Sequence, residues 1–159
     1  MKTLRSPKPV VHVSSSQRAC RVPRKKLAQL AAFVAKAEGL RLAECGIAVV
    51  EGRTISRLNR HYLHRAGTTD VLSFDLSDSP GGISAEIVLC GEAAVRQASL
   101  LGCSPQRELM LYLVHGLLHL MGYEDSSVRG AAKISARQEE LLRLFLARAT
   151  GKRTARRGK

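Results

Sequence analysis

Three residues of types that commonly bind metals lie close together in the sequence. His115 and His119 are separated by three residues, a glycine follows at position 122, and Asp125 comes shortly after it. Residues four apart on a helix share a face, so both imidazoles can reach one ion. Gly122 can adopt a positive φ, end the helix and turn the chain so that Asp125 approaches the same ion. The spacing therefore predicts a metal site with three protein ligands.

A site with three protein ligands leaves one coordination position open. In zinc enzymes this position holds the water that the ion acidifies, and it marks a catalytic rather than a structural site. We therefore expect one zinc ion, although two imidazoles and a carboxylate also suit iron, nickel or copper.

The same spacing occurs in zinc proteases, where a glutamate after the first histidine is the general base. Here that residue is Gly116, so a metallopeptidase would lack its base. Alternatively, the two histidines are core residues bonded to backbone carbonyls. The flanking residues 109–118 are apolar nearly all round, and burying two imidazoles among them is costly without a strong partner. The metal interpretation is therefore favoured.

Strands and helices alternate along the chain without repeats. We predict strands over 10–13, 47–50, 71–74 and 86–90, and helices from Pro23 to Gly39, over 54–64, 92–101 and 106–121, and from Ser126 or Ser127 to about Arg148. This order predicts an α/β or α+β fold, in which helices cover a small, mostly mixed sheet of about four strands. The metal site would lie on a buried helix and the loop that follows it.

The length and charge of the chain indicate one domain with basic ends. With 159 residues, the chain is long enough for one core, which we assign to residues 1–150. Residues 1–26 hold eight Lys or Arg and no acid, and residues 148–159 hold six and no acid, whereas the middle is nearly neutral. Basic ends favour a polyanionic partner, nucleic acid first. Residues 151–159 are predicted to be a disordered tail, and the alternative is that this tail only aids solubility.

Cysteine spacing and hydropathy bear on location. The four cysteines form no C-x2-C pair, no apolar run resembles a secretory signal, and no stretch is long enough to span a bilayer. We expect a cytoplasmic protein with reduced cysteines and no membrane partner.

Two blocks of the sequence match motifs of a known family. The first is H-G-L-L-H-L-M-G-Y at 115–123, and the second is L-N at 58–59 followed by T-D-V-L-S-F at 69–74. Together they resemble the YbeY family of metal-dependent endoribonucleases, also described as rRNA maturation factors, whose motifs read H-G-x-L-H-L-x-G-Y-D-H and L-N…T-D-V-L-S-F. The resemblance covers roughly residues 45–145.

The resemblance implies a zinc-dependent, single-strand-specific endoribonuclease that acts on ribosomal RNA precursors in rRNA maturation and ribosome quality control. It implies that His115, His119 and Asp125 are the metal ligands, and that Asn59 and Ser73 lie near the site and orient substrate or ligands. The ion would activate a water or polarise a phosphate oxygen. RNA and the ribosomal subunit are the implied partners, ribosome-associated proteins are possible partners, and no small-molecule cofactor is implied.

The sequence departs from the family pattern at the third ligand. Asp125 stands where the family usually has His, and Glu124 stands where it has Asp. Carboxylate oxygen is an accepted zinc ligand, so the site is expected to survive the change. Glu124 remains the alternative third ligand. A milder departure is Glu86, where the family has Asp in a strand.

A further departure concerns phosphate binding. The family commonly has an Arg four residues after the Asn of its L-N pair, and here that position is Leu63. Such an Arg would clamp the scissile phosphate with paired hydrogen bonds. Neighbouring residues can reach the same space: Arg60, His61, His64 and Arg65. The missing Arg also favours a rival function, a non-catalytic ribosome-binding or RNA-binding assembly factor with a structural metal.

Overall fold

A computed structural model of the protein describes residues 7–78 and 80–157, and these contain four strands and five helices. The elements, in chain order, are β1 (Val10–Ser15), α1 (Arg24–Glu38), β2 (Leu42–Val50), α2 (Gly52–Leu63), β3 (Val71–Asp75), β4 (Ile83–Cys90), α3 (Gly91–Leu101), α4 (Pro105–Leu120) and α5 (Val128–Arg157).

The strands form one mixed sheet in the order β1-β2-β4-β3. β1 pairs with β2 and β2 with β4 in parallel, whereas β3 lies antiparallel to β4. Because consecutive parallel strands require a crossover, a helix follows each of β1 and β2. The α+β fold that the sequence predicts is confirmed, and β3 is left as an edge strand of the sheet.

The main core lies on one face of the sheet. In the register of the central pair, Ile47 lies opposite Ile87, and Val49 lies opposite Leu89, and all four side chains are buried. Helices α1 and α4 pack on this face, and α5 packs against both of them. On the side of α1 that faces the core, four side chains have no exposed surface: Leu27, Leu30, Ala31 and Val34.

Helix α4 is the central helix of the core and contacts α1, α3, α5, β3 and β4. It approaches the sheet closely at Gly116, where an added Cβ would lie 2.7 Å from Ser73 Oγ and 3.1 Å from Val71 Cγ2. The Ser73 hydroxyl donates a hydrogen bond to the Gly116 carbonyl over 3.0 Å. A glycine is needed here because any larger residue would push the helix off the sheet.

Helix α2 lies on the opposite face of the sheet. Alternate residues of β3 point to opposite faces, so Phe74 faces away from α4 while its neighbour Ser73 contacts it. The Phe74 ring meets Tyr62 of α2 at a centroid distance of 5.5 Å. The edge strand β3 therefore joins α2 on one face to α4 on the other.

Local signals fix several helix ends where the sequence places them. Gly39 has φ +69° and ends α1 in the left-handed conformation. Ser127, one of the two predicted caps of α5, accepts a hydrogen bond from the Gly130 backbone N–H over 2.9 Å. Ser104 caps α4 in the same way, with Pro105 as the first helical residue.

Several element bounds differ from those predicted, by two or three residues in β1, α2 and β4 and by more in β2 and α5. Strand β2 begins at Leu42, earlier than predicted, because pairing with β1 and β4 extends it beyond its apolar run. Helix α5 continues past the predicted end to Arg157, so the backbone is helical in the part of the predicted tail that the structure describes. Ala, Arg and Lys in this stretch favour the helix. Residues 158–159 lie outside the described residues, and the division into a domain of residues 1–150 and a tail of residues 151–159 stays a prediction.

Within the described residues, no helix combines the length and the apolar character that a bilayer span requires.

The close contact at Gly116 predicts a loss of stability on Gly116→Ala. The added methyl group would force Ser73, Val71 and Ile87 to move. We expect the free energy of unfolding to fall by about 1–2 kcal/mol, because overpacking costs roughly 1–3 kcal/mol and the better helix propensity of Ala offsets up to about 1 kcal/mol. Urea unfolding measures the change. A double-mutant cycle with Ser73→Ala should show coupling, and simple additivity would contradict this account.

A carboxylate on the α2 side of the sheet predicts a pH dependence of stability. Burial raises the pKa of Glu86, and nearby Glu44 raises it further. A raised pKa means that the folded state binds the proton more tightly, so stability falls as pH rises above about 4.3, the ordinary pKa of glutamate. Glu86→Gln should therefore stabilise the protein at neutral pH and lose this advantage in acid.

Thermal unfolding at a series of pH values tests this expectation. Asp78→Asn, which removes an exposed carboxylate from the loop after β3, is the matched control and should show a smaller difference. An equal gain for Glu86→Gln at acidic and neutral pH would contradict the assignment.

Candidate metal centre

The two histidines of α4 project from its C-terminal half at the rim of the core. Their neighbours in the helix are buried, whereas the side chains of His115 and His119 keep 22% and 31% of their surface exposed. The two Nε2 atoms lie 2.8 Å apart. The spacing of four residues therefore directs both ring nitrogens to one point that remains open to solvent.

A glycine ends α4 immediately after the histidines. The Tyr123 backbone N–H donates to the Leu118 carbonyl and the Gly122 N–H donates to the His119 carbonyl, at 3.1 and 3.0 Å. With φ +93° at Gly122, these two bonds form a Schellman motif. The motif reverses the chain direction, as the sequence predicts, and leads the following loop back past the histidines.

The reversed loop brings Asp125 to the histidine pair. Asp125 Oδ2 lies 3.6 Å from His115 Nε2 and 3.5 Å from His119 Nε2, and its side chain is about half exposed, at 51%. The candidate ligand atoms of the three residues lie within 4.8 Å of one another. In the described part of the chain, this is the only group of three or more His, Cys, Asp or Glu residues that meets this criterion. Glu124, the alternative third ligand, is exposed and lies outside the group.

Helix α5 contributes a residue that favours one tautomer of neutral His115. Gln138 Oε1 lies 2.7 Å from His115 Nδ1. An amide oxygen only accepts hydrogen bonds, so the proton of neutral His115 resides on Nδ1 and the lone pair on Nε2. This is the tautomer that a metal ligand of this orientation requires.

A network of three side chains holds the loop that carries Asp125. The Tyr123 hydroxyl donates to Glu38 Oε2 over 3.3 Å, and Arg137 Nε donates to Glu38 Oε1 over 2.6 Å. Burial raises the pKa of Tyr123, and the Glu38 carboxylate raises it further, so the phenol remains a donor. The Glu38 side chain is only 8% exposed. The network thus joins the loop to the end of α1 and to α5, next to Gln138.

The other two predicted site residues hydrogen-bond to backbone groups. Ser73 donates a hydrogen bond to the Gly116 carbonyl, as described above, and so positions α4, the helix that carries both histidines. The Asn59 side chain is buried, and its Nδ2 donates to the Gly67 carbonyl over 3.3 Å. This bond anchors the loop between α2 and β3. Leu63, at the position of the family Arg, is 45% exposed at the end of α2.

The donor set fits a divalent transition metal. Two imidazole nitrogens and one carboxylate oxygen are ligands that zinc accepts. The C-terminal end of α4 adds negative potential from the helix dipole, which favours a cation at this position. The Gln138 bond supplies the outer partner typical of histidine ligands.

Comparison with known proteins identifies the family. The family model described as Endoribonuclease YbeY matches residues 12–145. The chain belongs to this family. The resemblance noted from the two sequence blocks is thereby confirmed.

Individual relatives support the same assignment. A protein named Endoribonuclease YbeY from Nocardioides sp. is 36% identical over 134 residues, which cover 78% of this chain and 90% of the relative. The protein of that name from Moorella thermoacetica is 41% identical over 111 residues, or 63% of this chain and 71% of the relative. The solution structure of TM1509 from Thermotoga maritima has the same fold, with a TM-score of 0.58 at 19% identity, over 90% of this chain and 93% of that one.

Sequence reasoning missed the residues that support the ligands from other elements. Gln138 lies in a polar stretch of α5, and Glu38 and Arg137 read as surface charges. No spacing rule joins them to His115 or to the loop, since they are far from these positions in sequence. The YbeY motif contains Tyr123 but gives no sign of its partner.

The Gln138 bond predicts a change in metal affinity on Gln138→Leu. Without the acceptor, His115 Nδ1 loses its hydrogen-bond partner. The tautomer with its lone pair on Nε2 is then no longer favoured. We expect zinc affinity to fall by about ten- to a hundredfold, the usual effect of losing an outer partner. Competition with a chromophoric chelator measures the affinity of the purified protein.

Two variants control this experiment. Gln138→Glu keeps an acceptor oxygen and should retain the affinity, and Ser135→Leu places the same leucine at an exposed position of α5. If Ser135→Leu weakens zinc binding as much as Gln138→Leu does, the effect is not due to the hydrogen bond.

Proposed function

We propose that this protein is a zinc-dependent, single-strand-specific endoribonuclease of ribosomal RNA maturation and ribosome quality control. Membership of the YbeY family supports the reaction class. The observation that carries the proposal is the convergence of His115, His119 and Asp125 at a point open to solvent. A buried structural site would not leave its ligands partly exposed on one side.

The residues of the site have separate roles in binding the ion and in positioning its ligands. His115, His119 and Asp125 hold the ion, and Gln138 keeps His115 in the tautomer that binds it. Zinc, when bound, supplies a Lewis acid that acidifies a water or polarises a phosphate oxygen.

Charge supports RNA as the substrate. Both ends of the chain are basic, and they would hold the RNA backbone without reading its bases. Near the family Arg position, Arg60 and Arg65 are exposed and lie on either side of Leu63 in sequence. They are the natural replacements for the phosphate clamp. Ribosome-associated proteins would direct the enzyme to its substrate, in the cytoplasm, where the four free cysteines are in keeping with a reducing compartment.

A second candidate function is a non-catalytic assembly factor that binds the ribosome or RNA and uses the metal structurally. The exposed Leu63 favours it, because a leucine cannot bind a phosphate. A peptidase is not favoured, since the packing at Gly116 leaves no space for the glutamate base.

RNA cleavage by the purified full-length protein separates the two functions. We expect zinc-stimulated cleavage of a single-stranded oligoribonucleotide, and its rate should fall more than about a hundredfold in His115→Ala and His119→Ala, a larger loss than for an outer partner. Circular dichroism checks that both variants stay folded, and Ser135→Leu is the active control. The product ends then identify the nucleophile, because attack by the ribose 2′-hydroxyl leaves a cyclic phosphate and attack by water leaves none.

A different outcome would favour the assembly factor over the nuclease. In that case the wild-type protein would bind RNA without cleaving it, and both histidine variants would bind RNA equally well.

A further inference from the structure

The C-terminal end of α2 presents an exposed aromatic side chain in a fixed orientation. Tyr62 is 58% exposed, although it is a large ring. It makes edge-on contacts with two neighbouring rings, His61 at a centroid distance of 4.6 Å and Phe74 at 5.5 Å. These contacts hold the ring in place and leave more than half of its surface to solvent. An exposed, pre-oriented ring is suited to stacking with a flat partner.

The segment around Tyr62 carries only positive charge. Residues 52–69 contain four arginines and two histidines and no acidic residue. All six side chains are exposed: Arg53, Arg57, Arg60, His61, His64 and Arg65. Among the described residues, Arg57, Arg60 and Arg65 have no acidic partner within ion-pair distance, so their guanidinium groups are free to bind an external anion.

The backbone after α2 keeps this group together. His64 ends the helix in the left-handed conformation, with φ +53°. The Arg65 N–H then donates to the Asn59 carbonyl over 3.4 Å, and the Asn59 side chain holds the Gly67 carbonyl. The chain therefore folds back on the last turn of α2, and Arg65 lies beside the turn that carries Tyr62.

This combination matches the chemistry of single-stranded nucleic acid. Proteins that bind single strands combine aromatic rings, on which bases stack, with basic groups that follow the phosphates. A duplex does not offer its base faces, and an acidic peptide would use the arginines but not the ring. We propose that Tyr62 is a stacking platform for a base of single-stranded RNA, with Arg60 and Arg65 binding the flanking phosphates.

The position of the platform is suited to an RNA strand that also reaches the candidate metal centre. Tyr62 contacts Phe74 on one face of β3. On the other face, Ser73, which precedes Phe74, is hydrogen-bonded to Gly116 of α4. Since β3 is an edge strand, RNA can pass around this edge from one face to the other. The proposal rests on the proposed function, because it gives the ribonuclease a second contact with the same RNA strand, away from the candidate metal centre.

A fluorescence experiment tests the platform directly. The chain contains no tryptophan, so Tyr62→Trp introduces a single tryptophan, which can be excited apart from the tyrosines, at the proposed contact. Adding a cleavage-resistant 2′-O-methyl oligoribonucleotide should quench its emission, because the base would stack on the indole. Leu100→Trp, at an 80% exposed position of α3, is the matched control and should show little change. Equal quenching of both variants, or of neither, would overturn the proposal.

Binding measurements on the full-length protein separate stacking from charge. Tyr62→Ala should weaken binding of a labelled single strand by about five- to a hundredfold, the usual range for one stacked base, and Tyr62→Phe should restore most of it. On an abasic strand, wild type and Tyr62→Ala should bind alike. Arg60→Gln should lower the salt dependence of binding, whereas Tyr62→Ala should leave it unchanged.

The outcomes distinguish the platform from the function on which it rests. Wild-type protein that binds and cleaves RNA while Tyr62→Ala binds equally well would disprove the platform and leave the nuclease intact. Wild-type protein that neither binds nor cleaves single-stranded RNA would contradict both the platform and the nuclease function. An equal loss for Tyr62→Ala on normal and abasic strands would show that the ring acts on the protein's own structure, which contradicts stacking.

Discussion

The close packing of α4 against the edge of the sheet is the constraint on which the candidate metal centre depends. Gly116 brings the helix backbone within contact of β3 and β4, and Ser73 fixes it there by a hydrogen bond to the helix carbonyl. Because this face of α4 is pressed against the sheet, its two histidines are carried to the rim of the core. The same lack of a side chain removes the glutamate that a zinc peptidase uses. One packing requirement therefore determines both where the candidate centre lies and why it lacks the base of a zinc peptidase.

The third ligand candidate depends on contacts from outside α4. The Schellman motif at Gly122 turns the chain, but a turn alone leaves the loop free to move. The bonds of Tyr123 and Arg137 to the nearly buried Glu38 fix the loop against α1 and α5. Since α5 also supplies Gln138, this helix supports both the histidine pair and the loop that carries Asp125. Docking of α5 and assembly of the candidate metal site are thus coupled, as expected for a site that is formed only in the folded state.

Much of the fold and part of the site follow from local patterns in the sequence. Helical periodicity placed α1 and α4, and the glycines at 39 and 122 placed their C-terminal ends, because these signals depend on residues a few positions apart. The histidine pair is a local pattern of the same kind. The bounds of β2 and α5 were less accurate, since strand pairing and continued helix propensity extended them beyond their apolar runs.

The sequence by itself determined the order of the elements, the family and the pair of imidazoles, because each is encoded within one or two short segments. Only the tertiary structure decided that Asp125 reaches the histidines, that Gln138 sets a tautomer, and that Tyr62 is exposed on a basic surface. These facts depend on contacts between residues far apart in the chain. Such contacts arise from the way helices pack on the sheet, and no spacing within one element specifies them.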